Sequence, residues 1–268
     1  MHVLITGATG GIGQGICDAL SHDLSSPQHA LKLTVASSQS GERLDNLVQR
    51  LRAKGVAVQG VFGDVTQPDA CEKLVKDAMH HHGDIDALVC VAGASGPGKL
   101  ENLSVEQWDL TFQLNVRAVW LIAKAAFESL KRTQGSITAI ASMSGLHPHP
   151  GYGGYSPAKS ALIMLCRQLA QEWGSLGIRT NTVCPGMVRT PLTEAVYQDS
   201  GIKQQRESLV PLARIGTPED IGAAVGYLIG NRASYVNGQN LVVDGGVSDH
   251  MLTMIPGRPG KAPIGQSM

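Results

Sequence analysis

The stretch "LITGATGGIG" (residues 4–13) sets four glycines, at positions 7, 10, 11 and 13, between an apolar run and a helix-like segment. A tight turn from a strand into a helix needs backbone torsions that residues with a Cβ resist. The helix would then direct free N–H groups and its positive dipole end at an anion. A glycine cluster alone is often just a tight turn. Flanked by a strand and a helix, it predicts the pyrophosphate site of a dinucleotide-binding unit.

Short β-branched runs alternate with longer helical patterns along the rest of the chain. Strands are predicted at 2–6, 31–36, 56–62, 86–92, 136–142, 178–184 and 240–243, with helical patterns such as 41–54 and 67–82 between them. This order predicts an α/β protein with a three-layer Rossmann fold, built on a doubly wound parallel seven-stranded sheet. We expect a single domain over residues 1–250. The Pro- and Gly-rich tail at 251–268 is expected to be extended or partly disordered.

Composition excludes several classes of partner. The chain has 268 residues, with 22 Lys and Arg against 22 Asp and Glu, so no long-range field attracts nucleic acid or an anionic membrane. We expect a small-molecule substrate and a second copy of the chain as partners.

The five cysteines form no CxxC pair and predict buried thiols rather than a metal site, and the adjacent histidines 80–82 point in different directions. A strand begins at residue 2 and no apolar run is long enough to span a membrane, so we expect a cytoplasmic protein.

The end of the second predicted strand bears on the choice of nucleotide. The sequence there reads "VASSQSGER" (residues 35–43), with no acidic residue at Ser37, Ser38 or Gln39. An acid at this point holds the adenosine ribose hydroxyls of NAD and repels a 2′-phosphate. Small hydroxyl groups with Arg43 nearby favour NADP, and NAD stays the alternative.

Tyr155 and Lys159 lie four positions apart in "YSPAK" (residues 155–159), so a helix would turn both to one face. An ammonium beside a phenol should lower the pKa of the tyrosine and fit it for proton exchange with an alcohol. An isolated pair of this spacing is more often a packed tyrosine with a solvated lysine.

Ser142 lies at the end of the fifth predicted strand, where a hydroxyl could bind a substrate oxygen, and Ser144 is a second, less favoured candidate. Asn115 lies inside a helical run at 104–130 and indicates a helix distortion or a buried hydrogen-bonding role.

These residues carry a resemblance to the classical short-chain dehydrogenase/reductase family, over residues 2–248. The matching motifs, in order, are "TGATGGIG" (6–13), "GDV" (63–65), "VAG" (91–93), "LNV" (114–116), "ASMSG" (141–145), "YSPAK" (155–159), "NTVCPGMVRTPL" (181–192) and "VVDGG" (242–246). One departure is that Cys90 and Val91 stand where the family usually has asparagine, which puts a stabilising hydrogen bond in doubt.

The resemblance implies hydride transfer between the nicotinamide of NAD(P) and a carbonyl or secondary alcohol. It implies Tyr155 as general acid or base, Lys159 as its neighbour on the nicotinamide ribose, Ser142 on the substrate oxygen and Asn115 holding a water. The cofactor-binding residues it implies are Gly7, Thr9, Gly10, Gly11, Ile12, Gly13, Ser37, Ser38, Gln39, Asp64, Val65, Ala92, Gly93, Tyr155, Lys159, Pro185, Gly186, Val188 and Thr190. It also implies a homo-oligomer, a dimer or a homotetramer, built on the long helices at 104–131 and 153–176.

The substrate is expected to be a 3-oxoacyl compound, a small ketone or a sugar-like polyol, bound by loops at 93–100, 143–154 and 188–214. Within the loop at 143–154, His147, His149 and Tyr152 could reach the substrate or lie on the surface. Two rival functions remain at this point. A non-catalytic dinucleotide-binding regulator would typically lack the Tyr or the Lys. An epimerase or dehydratase of the extended branch would need a further substrate domain, for which this chain is too short.

Overall fold

The computed structural model describes residues 1–23 and 31–250, and seven strands form one sheet among these residues. The strands are β1 (His2–Thr6), β2 (Lys32–Ser37), β3 (Ala57–Phe62), β4 (Ala87–Cys90), β5 (Ser136–Ile140), β6 (Arg179–Pro185) and β7 (Asn240–Val243). Their order across the sheet is β3-β2-β1-β4-β5-β6-β7, and each neighbouring pair is parallel. The predicted doubly wound Rossmann fold is confirmed. The tail at 251–268, for which an extended or disordered form is expected, lies outside the described residues.

Helices cover both faces of the sheet. They are α1 (Gly11–Asp23), α2 (Glu42–Ala53), α3 (Pro68–His82), α4 (Val105–Phe112), α5 (Ala118–Thr133), α6 (Tyr155–Trp173), α7 (Glu194–Tyr197), α8 (Ser200–Leu209) and α9 (Pro218–Ile229). Successive residues of a strand point to opposite faces, so β1 sends Leu4 into one core and Val3 and Ile5 into the other. The Leu4 core packs against α3, α5 and α6, and the second core packs against α1, α2 and α9. Three layers result.

Local sequence signals set where several helices begin. Ser104 caps α4: its side chain accepts from the backbone N–H of Gln107, whose side chain in turn accepts from the N–H of Ser104. Pro68 and Pro218 occupy the first helical positions of α3 and α9, where a missing N–H costs no hydrogen bond.

The order of the strands in the sheet indicates where a ligand is expected to bind. The chain reaches the β3 edge, then crosses back to add β4 on the other side of β1. Ligands of open α/β sheets bind at such a switch point, beyond the carboxyl ends of the strands. Among the described residues, none of the helices combines the length and the apolar character that crossing a membrane requires.

Two strands end two residues before their predicted ends, and the bounds of β2, β3 and β6 differ from the prediction by one residue. The fifth strand was expected to run to residue 142, but β5 ends at Ile140, because a short 3₁₀ turn at Met143–Gly145 begins directly after Ser142. The fourth strand was expected over 86–92 and spans Ala87–Cys90. The helical run at 104–130 is interrupted by a π-helical turn over Gln113–Arg117, so the distortion expected at Asn115 is present.

Candidate active site

A cleft of about 490 Å³ opens at the carboxyl ends of the central strands. Most of the predicted site residues line it: Gly7, Thr9, Gly10, Gly11, Ile12, Gly13, Ser37, Ser38, Asp64, Val65, Ala92, Gly93, Ser142, Tyr155, Lys159, Pro185, Gly186 and Thr190. A larger cavity, about 980 Å³, lies at the opposite edge, beside Met1, Asp86 and Ser136 where strands begin. It contains neither the glycine turn nor the Tyr–Lys pair, so the smaller cleft is the candidate site.

The glycine turn follows β1 directly. Gly7 has a φ of +65°, and a Cβ there would lie 2.6 Å from the backbone nitrogen of Ala92. Only glycine fits, because both the left-handed torsion and the approach of the two chains exclude a side chain. Gly10 donates from its backbone N–H to the oxygen of Gly7 at 3.1 Å, and α1 begins at Gly11 with no acid in its first turn. The start of α1 can therefore receive an anion.

The far end of the cleft is lined by hydroxyl groups and one carboxylate. Ser37 ends β2, and its Oγ lies 3.4 Å from Thr9 Oγ1 in the glycine turn. Asp64 Oδ1 accepts from the backbone N–H and the hydroxyl of Thr66, at 2.9 and 2.8 Å, and the first of these bonds is the largest cause that lowers the pKa of Asp64. Gln39 does not line the cleft, although the resemblance implied it would bind cofactor.

Ser142 and Tyr155 meet at the reactive end. Tyr155 is the first residue of α6, and Ser142 precedes the 3₁₀ turn, where its Oγ accepts from the backbone N–H of Ser144 at 3.1 Å. Burial raises the pKa of Tyr155, and the side-chain hydrogen bond with Ser142 opposes this more weakly. The expectation that Lys159 lowers this pKa is wrong for the structure described, because desolvation of the phenol dominates and Lys159 is not among the causes.

Lys159 is buried and points from α6 toward the end of β5. Its Nζ donates to the backbone oxygen of Ile140 at 2.8 Å and lies 5.6 Å from the centroid of the Tyr155 ring. Burial lowers the pKa of Lys159 to about 8. The pair is therefore not a packed tyrosine with a solvated lysine: both side chains face the cleft.

Asn115 lies in the π-helical turn behind these groups and is buried. Its Nδ2 donates to the backbone oxygens of Ala94 and Thr111, each at 2.9 Å. Its Oδ1 is buried and has no hydrogen-bond partner among the described residues. A Cβ added at Gly93 would lie 2.7 Å from this Oδ1 and 3.3 Å from Lys159 Nζ, so the three residues enclose one small space.

The third wall of the cleft follows β6. Pro185 ends the strand, and the backbone N–H of Gly186 donates to Val243 at 3.0 Å, which fixes the chain beside β7. Val188 was expected to contact cofactor, yet it is buried in the core and does not line the cleft.

Ten lining residues were not named as site residues from the sequence: Thr6, Ala36, Gly63, Val91, Ala94, Ser95, Leu114, Ile140, Ala141 and Leu192. Three of them, Ala94, Ser95 and Leu192, lie in the loops predicted to bind substrate. Leu192 is 87% exposed, an unusual state for leucine. Ala94 and Ser95 follow the "VAG" motif and Leu114 precedes Asn115, so proximity to the motifs was the available signal. No group of three or more His, Cys, Asp or Glu side chains that could hold a metal occurs within the part of the chain that the structure describes.

The glycine turn at a sheet switch point, with Tyr155, Lys159 and Ser142 facing one cleft, defines an oxidoreductase of the Rossmann type. Residues 7–248 match the family model described as enoyl-(acyl carrier protein) reductase. The chain belongs to the short-chain dehydrogenase/reductase family.

Named relatives agree with this assignment. The dehydrogenase/reductase SDR family member 4 of Oryctolagus cuniculus is 34% identical, over 92% of this chain and 94% of its own. The 3-oxoacyl-[acyl-carrier-protein] reductase FabG of Staphylococcus aureus is 30% identical, over 91% and 96%. A solved short-chain type dehydrogenase/reductase from Mycobacterium ulcerans superposes with a TM-score of 0.85 at 28% identity, covering 94% of this chain and 93% of that one.

Proposed function

We propose that the protein transfers hydride between NADP(H) and the carbonyl or secondary alcohol of a small substrate, with Tyr155 as the general acid or base. NAD(H) is the alternative nucleotide. The substrate classes we favour are 3-oxoacyl compounds, small ketones and sugar-like polyols, and the reductase named FabG among the relatives supports the first of these. The observation that carries the proposal is the convergence of Ser142, Tyr155 and Lys159 on one end of a cleft whose other end is the glycine turn.

The residues present fit a dinucleotide. The close approach of Gly7 to Ala92 leaves bare backbone facing the cleft, and the start of α1 can hold a pyrophosphate. The nicotinamide, when bound, supplies or accepts the hydride. Gly93 leaves the space between Asn115 and Lys159 open, and the unpartnered Asn115 Oδ1 is suited to hold a water there.

Side chains of the protein donate and accept the proton of the reaction. Because burial raises its pKa, the Tyr155 phenol is protonated at neutral pH and can give its proton to a carbonyl oxygen. The Ser142 Oγ accepts from the Ser144 N–H, and its own proton, directed at Tyr155, can turn to the same substrate oxygen. Lys159, with a pKa of about 8, is mostly charged at pH 7 and can return the proton to Tyr155 through an intervening water.

We also propose that a second copy of the chain covers α4 and α5, as in a dimer or a homotetramer. Large apolar side chains are exposed there, with Val105 70%, Leu110 59% and Trp120 42% accessible. A groove of about 410 Å³ runs beside Trp120 and Leu165. Exposed apolar surface of this extent is typical of a protein interface.

The test is the Tyr155→Phe variant, assayed by reduced-nicotinamide absorbance on a panel of ketones and 3-oxoacyl thioesters. We expect nucleotide binding within about threefold of the wild type and turnover lower by roughly a hundredfold or more, the usual contribution of a positioned acid. Tyr235→Phe, a fully exposed tyrosine outside the cleft, is the matched control and should behave as wild type. A Tyr155→Phe enzyme that kept a tenth of the activity would exclude Tyr155 as the acid.

A further inference from the structure

Four cationic side chains occur between residues 188 and 214, and one of them differs from the others. Three form ion pairs with carboxylates: Arg189 with Glu194 at 2.6 Å, Lys203 with Glu207 at 3.6 Å and Arg214 with Asp220 at 2.6 Å. Arg206 forms no ion pair with any described residue, although its side chain is half-buried. A partly desolvated guanidinium without a counter-charge is costly unless a ligand supplies one.

Packing holds Arg206 against α7, in the segment that follows the cleft-lining Leu192. It lies on α8 with its guanidinium carbon 5.5 Å from the centroid of the Tyr197 ring, and its Nη1 donates to Tyr197 Oη at 3.4 Å. Tyr197 is buried on α7, which begins two residues after the cleft-lining Leu192. The cation is therefore supported by the aromatic face of Tyr197.

An aromatic wall, formed by His149, Tyr152 and Tyr155, connects this cation to the reacting phenol. The rings of His149 and Tyr152 stack with centroids 3.7 Å apart, and the Tyr152 and Tyr155 centroids are 6.5 Å apart. Burial lowers the pKa of His149, and the charge of Arg206 lowers it further, so the two groups interact electrostatically.

Hydrogen bonds hold the aromatic wall in place. His149 Nδ1 lies 2.9 Å from Ser144 Oγ, and the His149 backbone N–H donates to Ser156 Oγ at 3.1 Å. The backbone N–H of Gly98 donates to Gly151 O and that of Gly153 donates to Gly98 O, each at 2.8 Å, which ties two of the substrate loops together. A preorganised surface of this kind can select the length of a bound substrate.

The charges around the cleft favour an anion at this end. Asp64 is the one carboxylate among the residues that line the cleft, and it lies at the opposite end, bonded to Thr66. Lys159 is the one cation among the lining residues, and its Nζ is occupied by the backbone oxygen of Ile140. Arg206, which interacts electrostatically with His149 of the aromatic wall, is the cation left for a substrate anion. A single guanidinium balances a single negative charge, and its planar fork matches a carboxylate.

We propose that the substrate is an oxo acid or the corresponding hydroxy acid, whose carboxylate binds Arg206 while its carbon chain lies along the aromatic wall. This inference rests on the proposed function and narrows the substrate class. During reduction the hydride goes to the oxo carbon, the proton of Tyr155 goes to the oxo oxygen, and the carboxylate stays ionised against Arg206. Phosphate esters of keto sugars are the competing anions.

The experiment compares three matched sets of substrates with the wild-type enzyme and the preferred nucleotide: a series of 3-oxo to 6-oxo carboxylates, their methyl esters, and a phosphorylated ketose. We expect at least one acid to exceed its own ester in kcat/KM by about tenfold to a hundredfold, the usual effect of a partly buried charge-assisted hydrogen bond. Equal kcat/KM for every acid and its ester, or preference for the phosphate, would overturn the proposal.

The Arg206→Gln variant then assigns the effect to the residue. The ratio of acid to ester kcat/KM should fall toward one, mainly through a higher KM for the acid, and Arg206→Lys should restore part of it. Lys203→Gln removes a neighbouring charge on the same helix and should leave the ratio unchanged. An Arg206→Gln enzyme with the wild-type ratio would assign recognition elsewhere and contradict the proposal.

The two proposals fail in different ways. If esters and neutral ketones are reduced but acids are not preferred, the oxidoreductase function stands and the role of Arg206 is wrong. If no carbonyl compound is reduced with either nucleotide, or Tyr155→Phe stays active, the proposed function itself is wrong. The wild-type comparison of acids with esters needs no variant, so it decides the matter even if Arg206→Gln does not fold.

Discussion

The Nζ of Lys159 donates a hydrogen bond to the backbone oxygen of Ile140 at 2.8 Å, which ties the first turn of α6 to the end of β5. The side chain is 4% exposed, and no carboxylate lies within ion-pair distance among the described residues. Burial of this unpaired charge lowers the pKa to about 8. The buried charge of Lys159 therefore destabilises the folded state, although the candidate site uses this side chain.

We predict that Lys159→Met abolishes turnover but raises the free energy of unfolding at pH 7, by about 1–2 kcal/mol after the lost hydrogen bond is discounted. The wild-type penalty is complete below the folded pKa of about 8 and disappears as pH rises toward the unfolded value of 10.5. The advantage of the variant should therefore shrink between pH 8 and 10 in denaturant titrations. Lys76→Met, an exposed lysine on α3, should show no such pH dependence. A variant less stable than wild type at pH 7 would contradict this account.

Gly93 provides a second prediction, because the absence of a side chain there leaves the space between Asn115 and Lys159 open. A Cβ there would lie 2.7 Å from Asn115 Oδ1, and Asn115 is held in place by Ala94 and Thr111. We expect Gly93→Ala to fold with a loss of about 1–3 kcal/mol and to lower turnover at least about tenfold. Thermal unfolding and steady-state kinetics measure the two effects.

Gly96→Ala is the matched control for that substitution. Its Cβ would meet only Thr111 Oγ1, at an ordinary contact distance of 3.6 Å, on the same loop. We expect its stability and activity to stay within the error of the wild-type values. Equal losses in both variants would show that the loop, rather than the space beside Lys159, determines the effect.

The sheet and most of the residues that line the cleft could be predicted from the sequence, because those features depend on local patterns. Apolar β-branched runs such as residues 2–6 are buried on both faces and can form little except central strands. Gly7 and Gly11 are recognisable because a turn and a close approach restrict the residue type. The position of Ser142 was harder to predict, since strand patterns do not show where a 3₁₀ turn begins.

Other features depend on burial and partner choice, which spacing does not reveal. The interval of four between Tyr155 and Lys159 predicts neighbours, but desolvation is the largest influence on each pKa and raises that of Tyr155, against the expected direction. In the same way, the segment 188–214 shows four cations in the sequence. Only the folded chain identifies Arg206 as the one without a carboxylate among the described residues.

The nucleotide preference gives a third prediction at the end of β2. Ser38 lines the cleft, so a carboxylate there would reach the adenosine ribose and repel a 2′-phosphate. We expect Ser38→Asp to lower the ratio of kcat/KM for NADPH over NADH by about tenfold to a hundredfold. Ser40→Asp adds the same charge two residues away, outside the cleft lining, and should change the ratio by less than about threefold. If the wild type prefers NADH, the NADP proposal is wrong.

His2 gives the last prediction, on acid stability. Its ring is buried at the start of β1, where Nδ1 faces the backbone oxygens of Gly83 and Asp84 at 3.0 and 3.2 Å, and Nε2 lies 2.9 Å from Thr34 Oγ1. Two carbonyl groups can only accept, so Nδ1 carries the proton and Nε2 accepts from the threonine hydroxyl. This neutral form satisfies both nitrogens, and protonation of Nε2 would require the threonine hydroxyl to accept instead of donate.

Burial lowers the pKa of His2 below 6.5, and the neighbouring His82 lowers it further, against the raising effect of the backbone oxygens and Asp86. The unfolded chain therefore binds a proton on His2 at pH values at which the folded chain keeps this ring neutral. The stability that neutral His2 contributes is complete above pH 6.5 and is lost as pH falls toward its folded pKa. We expect the free energy of unfolding to decrease between pH 7 and 5, at no more than about 1.4 kcal/mol per pH unit for one proton.

Urea titrations of wild type, His2→Gln and His80→Gln across pH 5 to 8 would measure this dependence. His2→Gln should be less stable than wild type at pH 7, because it loses packing and a hydrogen bond, and the difference should narrow at pH 5. His80 is exposed on the same helix end as His82, so its variant should follow the wild-type curve throughout. Parallel curves for wild type and His2→Gln would show that His2 takes no part, and would leave the half-buried His82 as the group responsible.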